Sequence, residues 1–398
     1  MGLNIDKSMW TRVMFGDVAA ASRERVDPTS GEVDRFIAGE HMDTDDLKIH
    51  RSGELDEVDV GPAFHRRFRP GQVLYGSRRT YLRKVAVAEF DGVCANTTFV
   101  VESKNRDVLL QEFLPFIMSS EPFHAFAIQE SKGSVNPYVN WSDIARYEFD
   151  LPPLDEQKRI ADLLWAVEKH SRAHADLAAC ISTAQSTWLE RALAPQDGSE
   201  WARTAVGNLL ISGPTNGKSV TANDEGRGVP TLSISAIRHG RVVGGSAVKH
   251  IDVNPEAVAD FVIEKDDLLI VRGNGNKQMT GRAGLAVGGL PDGCVFPDLL
   301  IRLRFKRDKI LPEFAAAQWN SRAAHSTLIR NAKSTNGIWK INGKDVKSHA
   351  LVVPPLSEQL RIMSTLDHFA SAAEANTVER SGLASFTRTC LDSIFGGQ

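Results

Sequence analysis

A chain of 398 residues that is 42% hydrophobic and 24% charged is long enough for two domains with cores of their own, and its make-up is that of a soluble globular protein. It holds no apolar run of membrane-spanning length, no signal-peptide layout after Met1 and no Cys-x-x-Cys pair among Cys94, Cys180, Cys294 and Cys390, which points to a reducing cytoplasm and away from zinc or a disulfide framework. A net charge of −3 lacks the basic excess typical of a nucleic-acid domain, but residues 60–88 contain neither Asp nor Glu while Arg66, Arg67, Arg69, Arg78, Arg79, Arg83 and Lys84 all fall among them, so a basic strip lies on an acidic body.

Residues 1–152 read as an α+β domain. Strand-like runs at Gln72-Val-Leu-Tyr75, Lys84-Val-Ala-Val-Ala88 and Thr98-Phe-Val-Val101 precede helix-like residues 108–119 and 121–129. Residues 153–198 change character. Ile160, Leu164, Val167, Ala178, Ile181 and Trp188, widened by Leu163 and Leu177, fall at the three-and-four spacing of an amphipathic helix over 155–194, closed by the turn residues Pro195-Gln-Asp-Gly198. Residues 199–354 repeat the first pattern, with strands at Leu268-Leu-Ile-Val271, Gly284-Leu-Ala-Val287 and Leu299-Leu-Ile-Arg-Leu303 and helix-like residues 312–330. Residues 355–398 repeat the second, with Ile362, Leu366, Phe369, Ala373, Leu383, Phe386 and Ile394 on one stripe.

The repetition is literal at a few anchors. Leu151-Pro-Pro-Leu-Asp-Glu-Gln-Lys-Arg-Ile160 returns as Val353-Pro-Pro-Leu-Ser-Glu-Gln-Leu-Arg-Ile362. The spacing of Trp10, Arg12 and Gly16 returns at Trp201, Arg203 and Gly207, Asp91-Gly-Val-Cys94 is echoed by Asp292-Gly-Cys294, and Asn140 and Asp143 stand opposite Asn342 and Asp345. The residue before each Pro-Pro is pushed out of the α region, so the chain enters extended. Asp155 and Ser357 suit the helix cap, and Glu156 and Glu358 place a negative charge in the first turn. Two long amphipathic helices in one chain most simply pack as an antiparallel pair, with the polar His174 and Asn376 on the stripe fixing register; the alternative is that each lies on its own domain.

Motifs for chemistry fall short. Gly213-Pro-Thr-Asn-Gly-Lys-Ser219 has one residue too few between its glycines for a phosphate loop. Asn136-Pro137-Tyr138 lacks the second proline of an amino-methyltransferase signature, no Gly-x-Ser-x-Gly elbow occurs, and the eleven histidines are expected to offer no His-x-x-x-His or His-Glu-x-x-His pair for a metal. The chain reads as a binding or assembly protein, without a catalytic residue or metal ligand of its own.

The duplicated Pro-Pro-Leu-x-Glu-Gln-x-x-Arg-Ile string, each time between a variable α+β domain and a long helix, resembles the specificity subunit of type I restriction–modification systems. The resemblance covers the whole chain, and Leu268-Leu-x-x-Arg-Gly273 and the Trp/Gly openings support it. It implies two target-recognition domains, 1–152 and 199–354, held apart by antiparallel helical spacers, 153–198 and 355–398. It implies that each domain reads half of a split double-stranded DNA site. Partners would be two copies of an adenine methyltransferase subunit and a restriction–translocation subunit, and S-adenosylmethionine, ATP and Mg would belong to those partners. Residues that supply phosphate grip and bidentate base contacts are Arg66, Arg67, Arg69, Arg78, Arg79, Tyr81, Arg83 and Lys84 in the first domain. In the second they are Arg272, Asn274, Asn276, Lys277, Gln278 and Arg282, with Lys333, Asn336 and Lys340 opposite Ser131-Lys-Gly-Ser134 of the first half. Leu154, Glu156, Gln157, Ile160, Leu356, Glu358, Gln359 and Ile362 are the expected partner-binding residues. The competing reading is a scaffold with two protein-binding heads on a helical stalk and no DNA.

Overall fold

A computed structural model describes residues 6–194, 201–223, 225–330, 332–335 and 337–396. The turn predicted at Pro195-Gln-Asp-Gly198 and the candidate Asn336 lie outside them. The chain divides into two compact units, one of residues 1–176 with 378–398 and the other of residues 177–377. No helix among the described residues is long and apolar enough to cross a membrane.

The first unit is built on a four-stranded antiparallel sheet of β1 (Ala19–Ala21), β2 (Val73–Gly76), β3 (Val85–Val87) and β4 (Thr98–Ser103), in the order β1-β4-β2-β3. A second sheet sets Arg35–Ile37 parallel to Gly92–Ala95, which also pairs with Phe64–Phe68. Helices Leu114–Met118 and Glu121–Gln129 contribute to a core of Phe15, Tyr75, Phe113, Phe123 and Phe149.

The second unit repeats the arrangement with β5 (Leu210–Asn216), β6 (Leu268–Val271), β7 (Ala283–Leu285) and β8 (Leu300–Phe305), in the order β5-β8-β6-β7, extended by Arg241–Val242 and Ile237–Arg238. Thr231 bridges Val295 in parallel, as Phe36 does Val93. The core holds Trp319, Phe314, Ile301 and Leu303.

The sequence anchors are structural joints. The strand after Trp10, Thr11–Met14, pairs with Glu148–Leu151, and the strand after Trp201, Ala202–Ala205, pairs with Ala350–Val353. The opening of each half is thus hydrogen-bonded to the strand that leads into its Pro-Pro. Gly16 tolerates no side chain, because a Cβ there would stand 2.8 Å from the Cβ of Ala145; at Gly207 the nearest atom, in Lys347, is an ordinary 3.5 Å away. Asn140 with Asp143 and Asn342 with Asp345 begin two short helices, Trp141–Ile144 and Gly343–Ser348. In both, the backbone N–H of the asparagine donates to the aspartate carboxylate, at 3.0 and 2.9 Å, the reciprocal half of a capping box.

The two long helices are Leu154–Ala192 and Leu356–Phe395, of 39 and 40 residues, each ~60 Å long at 1.5 Å per residue. They begin one residue earlier than expected. The carbonyls of Pro153 and Pro355 accept the first helical bonds, from Gln157 and Gln359 N–H, so the prolines cap and Asp155 and Ser357 sit exposed in the first turn. Each unit takes the start of one long helix and the finish of the other, as antiparallel partners require. Ile160 and Leu164 share the first core with Ile394 and Phe395, and Ile362 and Leu366 share the second with Leu189 and Ala192. The stripe is narrower than its pattern: Leu163, Leu177 and Phe386 remain exposed.

The Pro-Pro-Leu-x-Glu-Gln string forms a joint with its own domain, and of the expected partner-binding residues Gln157, Ile160, Gln359 and Ile362 are buried in that joint. Gln157 and Gln359 are 1% and 0% exposed, and Ile160 and Ile362 are core residues. Gln157 accepts from Leu110 N–H at 2.9 Å and donates to the carbonyls of Val108 and Pro152, each at 2.8 Å. Gln359 does the same with Leu311 N–H and the carbonyls of Lys309 and Pro354. Glu156 accepts from Trp10 Nε1 at 2.9 Å, Glu358 pairs with Arg361, and Leu154 and Leu356 are half-buried. The reason is periodicity. Positions three and four apart at the start of each helix form one face, and that face docks on its own domain.

Candidate nucleic-acid interface

In both units the connection from the second to the third strand of the main sheet meets the segment that follows a nine-residue helix. In the first unit these are residues 77–84 and 130–139. Arg78 bridges Tyr138, which also bridges Lys132, and Arg79 N–H donates to the Pro137 carbonyl at 2.6 Å. In the second unit they are residues 272–282 and 332–341. Asn274 pairs with Trp339 and Gly273 with Lys340, which in turn pairs with Lys333.

The first loop is shaped for display. Arg79 and Arg83 flank a 3-10 turn, Thr80–Leu82, and both hold a left-handed φ of 51°, a conformation that a bulky residue keeps only when neighbours enforce it. Here the enforcement is the bond from Arg79 to Pro137 and the bond from Arg83 N–H to the Thr80 carbonyl. The result places Arg78, Arg79, Tyr81, Val135 and Tyr138 in solvent. The side chains of Arg78 and Arg79 have no ion pair or hydrogen bond among the described residues.

The rest of the strip is engaged internally. Arg67 grips Asp91 at 2.8 Å and also reaches Glu24 and Glu32; the Asp91 bond chiefly holds its guanidinium above the usual range. Arg69 binds Glu24, Arg83 pairs with Asp45 and Glu121, and Lys84 donates to the Gly39 carbonyl. Arg66 donates to the Thr98 carbonyl over the ring of Phe99.

The second loop divides the same way. Arg272 and Arg282 donate to the carbonyls of Asp298 and Asn320, and burial lowers the Arg282 pKa. Asn274 and Asn276 accept from backbone N–H groups two residues on, so their amides build the turn. Lys277, Gln278, Lys333 and Lys340 face solvent, and the Lys277 ammonium lies 4.3 Å from the centre of the Trp339 ring.

Motif reasoning missed the histidines beneath these loops. His124 and His325 occupy the fourth position of helices Glu121–Gln129 and Arg322–Arg330. His325 Nε2 meets the Thr280 carbonyl at 2.9 Å. His124 is fully buried with neither ring nitrogen bonded, and burial pushes its pKa down to about 3. Their equivalence emerges only once the two domains are superposed by topology. The expectation of no His-x-x-x-His pair is corrected by His170 and His174, whose Nε2 atoms one helical turn brings to 3.2 Å. Two ligands do not complete a zinc site, and no group of three or more His, Cys, Asp or Glu converges among the described residues. The phosphate-loop lookalike is strand β5 and its end. A Cβ on Gly217 would lie 2.2 Å from the Phe296 carbonyl, so that glycine serves strand contact.

A family model for the type I restriction modification DNA specificity domain matches residues 66–179. The chain is 27% identical over 289 residues to the type I restriction enzyme EcoKI specificity subunit of Escherichia coli K12, a match covering 67% of this chain and 61% of that one. It therefore aligns with somewhat under two thirds of that relative's length. Two solved structures share the fold across nearly whole chains. One comes from a study of complex assembly and conformational transition of the type I R-M system, with a TM-score of 0.60, 21% identity and 98% of each chain covered. The other is the type I restriction-modification S subunit from M. genitalium, with a TM-score of 0.58, 13% identity and 100% and 99% covered.

Proposed function

We propose that the chain is a type I restriction–modification specificity subunit, the DNA-recognition subunit of such a complex, each unit reading one half of a split site, a reading supported by the family model over residues 66–179 and by the likeness to the EcoKI specificity subunit. The observation that carries the proposal is the paired placement just described. Two domains of diverged sequence present exposed cationic side chains beside aromatic rings from the same two connections of the same sheet order. Cations grip phosphates, and Arg, Lys, Asn and Gln read base edges. The divergence of the loops between the two units suits two different half-sites.

Methylation and cleavage fall to other subunits in this reading, and S-adenosylmethionine, ATP and Mg go with them. The attachment face for a methyltransferase moves to the apolar side chains left in solvent on the long helices. These are Leu163, Val378 and Phe386 in the first unit and Leu177 and Leu360 in the second.

The test is binding of the full chain, with whatever subunits co-purify from its host, to duplex DNA across a salt series. DNA recognition predicts log K falling with log salt at about −0.9 per phosphate engaged, and a methyltransferase at two copies per chain. A chain that captures proteins but shows no salt-dependent affinity for DNA is the adaptor instead.

A further inference from the structure

A cavity of about 570 Å³ in the first unit is lined by Arg23, Glu24, Arg25, Arg66 and Lys104 with Phe99 and Trp141. Its cations are sorted by strand alternation. By period two, Arg23 and Arg25 share one side of the extended segment after β1, and Glu24 between them also contributes to the lining. The Glu24 carboxylate is already engaged by Arg69 and Arg67, so its charge is compensated from residues other than Arg23, Arg25 and Arg66. Arg66 and Arg67 alternate likewise, and Arg67 goes to Asp91.

What remains is a like-charged pair. Arg25 and Arg66 are direct cross-strand partners, an arrangement that destabilises a sheet. Neither has a carboxylate partner among the described residues, and Arg66 is half-buried against Phe99. Arg23 is exposed and Lys104, donating to the Gly16 carbonyl, adds a further positive charge. The cavity adjoins the display loop. Val139 N–H donates to the Ser77 carbonyl two residues before Trp141, and Gly76 pairs with Thr98 beside Phe99.

The geometry points to this aromatic-floored groove as a phosphodiester site that grips the DNA backbone next to the base-reading loop of the first unit, with Arg25 and Arg66 as a two-pronged anion clamp. This rests on the DNA-recognition reading and adds a site to it. A phosphate between two opposed guanidiniums cancels their mutual repulsion. Because the groove meets the backbone, it contributes to affinity and not to sequence choice.

The test uses the full chain, a fluorescent random-sequence duplex and a salt series. Arg25→Glu converts the repelling pair to a cross-strand ion pair, so the fold is kept or strengthened, while the clamp is lost. Its Tm should equal or exceed that of the wild type, and its affinity should fall about tenfold or more at moderate salt, with the salt slope flatter by about one contact. Arg23→Ala with Arg25→Ala should weaken binding in the same uniform way. Wild-type affinity and slope in both variants overturns the site while leaving DNA recognition standing. A loss confined to particular sequences also overturns it. A wild-type chain that binds no duplex removes the DNA reading itself, and the clamp with it.

Discussion

Gln157 and Gln359 illustrate how one side chain type recurs because one bonding problem recurs. Each amide accepts from one backbone N–H and donates to two backbone carbonyls at the point where a strand turns into a long helix. Replacing Gln157 with Leu fills similar space but leaves three backbone groups without partners. Denaturant unfolding should report a loss on the order of 3 kcal/mol, and a loss under ~0.5 kcal/mol would mean the amide is dispensable. Leu154→Ser, by contrast, alters a half-buried position and should cost far less. The buried histidines act through protonation. His124 and His349 are held neutral by burial, with pKa values pushed down to about 3 and about 4. The unfolded chain binds those protons near 6.5, so stability is fully present above about pH 6.5 and drains away as pH falls toward the folded values. His124→Leu should raise Tm and flatten its decline between pH 7 and pH 5; an unchanged pH profile would show that this ring does not carry the acid sensitivity.

At the scale of elements, the long helices and the central strands were legible because their patterns are long or dense. Leu268–Val271 and Glu121–Gln129 fall where periodicity puts them. The failures have local causes. The helix expected over residues 312–330 is two helices, because Asn320 bonds both the N–H and the carbonyl of Ala283 and closes the first at Trp319. The helix expected over 108–119 shortens to Leu114–Met118, since the backbone of Val108 and Leu110 is drawn to Gln157. The basic strip was visible as composition, but which arginines are displayed was not. That depends on Glu24, Glu32, Asp91 and Glu121, carboxylates 20 or more residues away that take Arg67, Arg69 and Arg83 out of play. The Pro-Pro string is legible as a duplicated helix start, but the burial of Gln157 and Gln359 is not, because a repeated polar residue looks exposed until its backbone partners are known. Ile362→Ala tests the joint: a buried core truncation of this kind should cost about 2–5 kcal/mol, lowering the unfolding midpoint of the second unit, and no shift would remove Ile362 from the joint.

For the whole molecule, the account is that one architecture, used twice with different loops, gives one chain two independent readers. The most direct measurement is selection of bound duplexes from a random library by the full chain with its co-purified subunits, repeated with Arg78→Ala/Arg79→Ala. The account predicts two short fixed blocks separated by unspecified bases, with the variant losing information in one block and keeping the other. A single continuous motif, no enrichment, or equal loss in both blocks would contradict it.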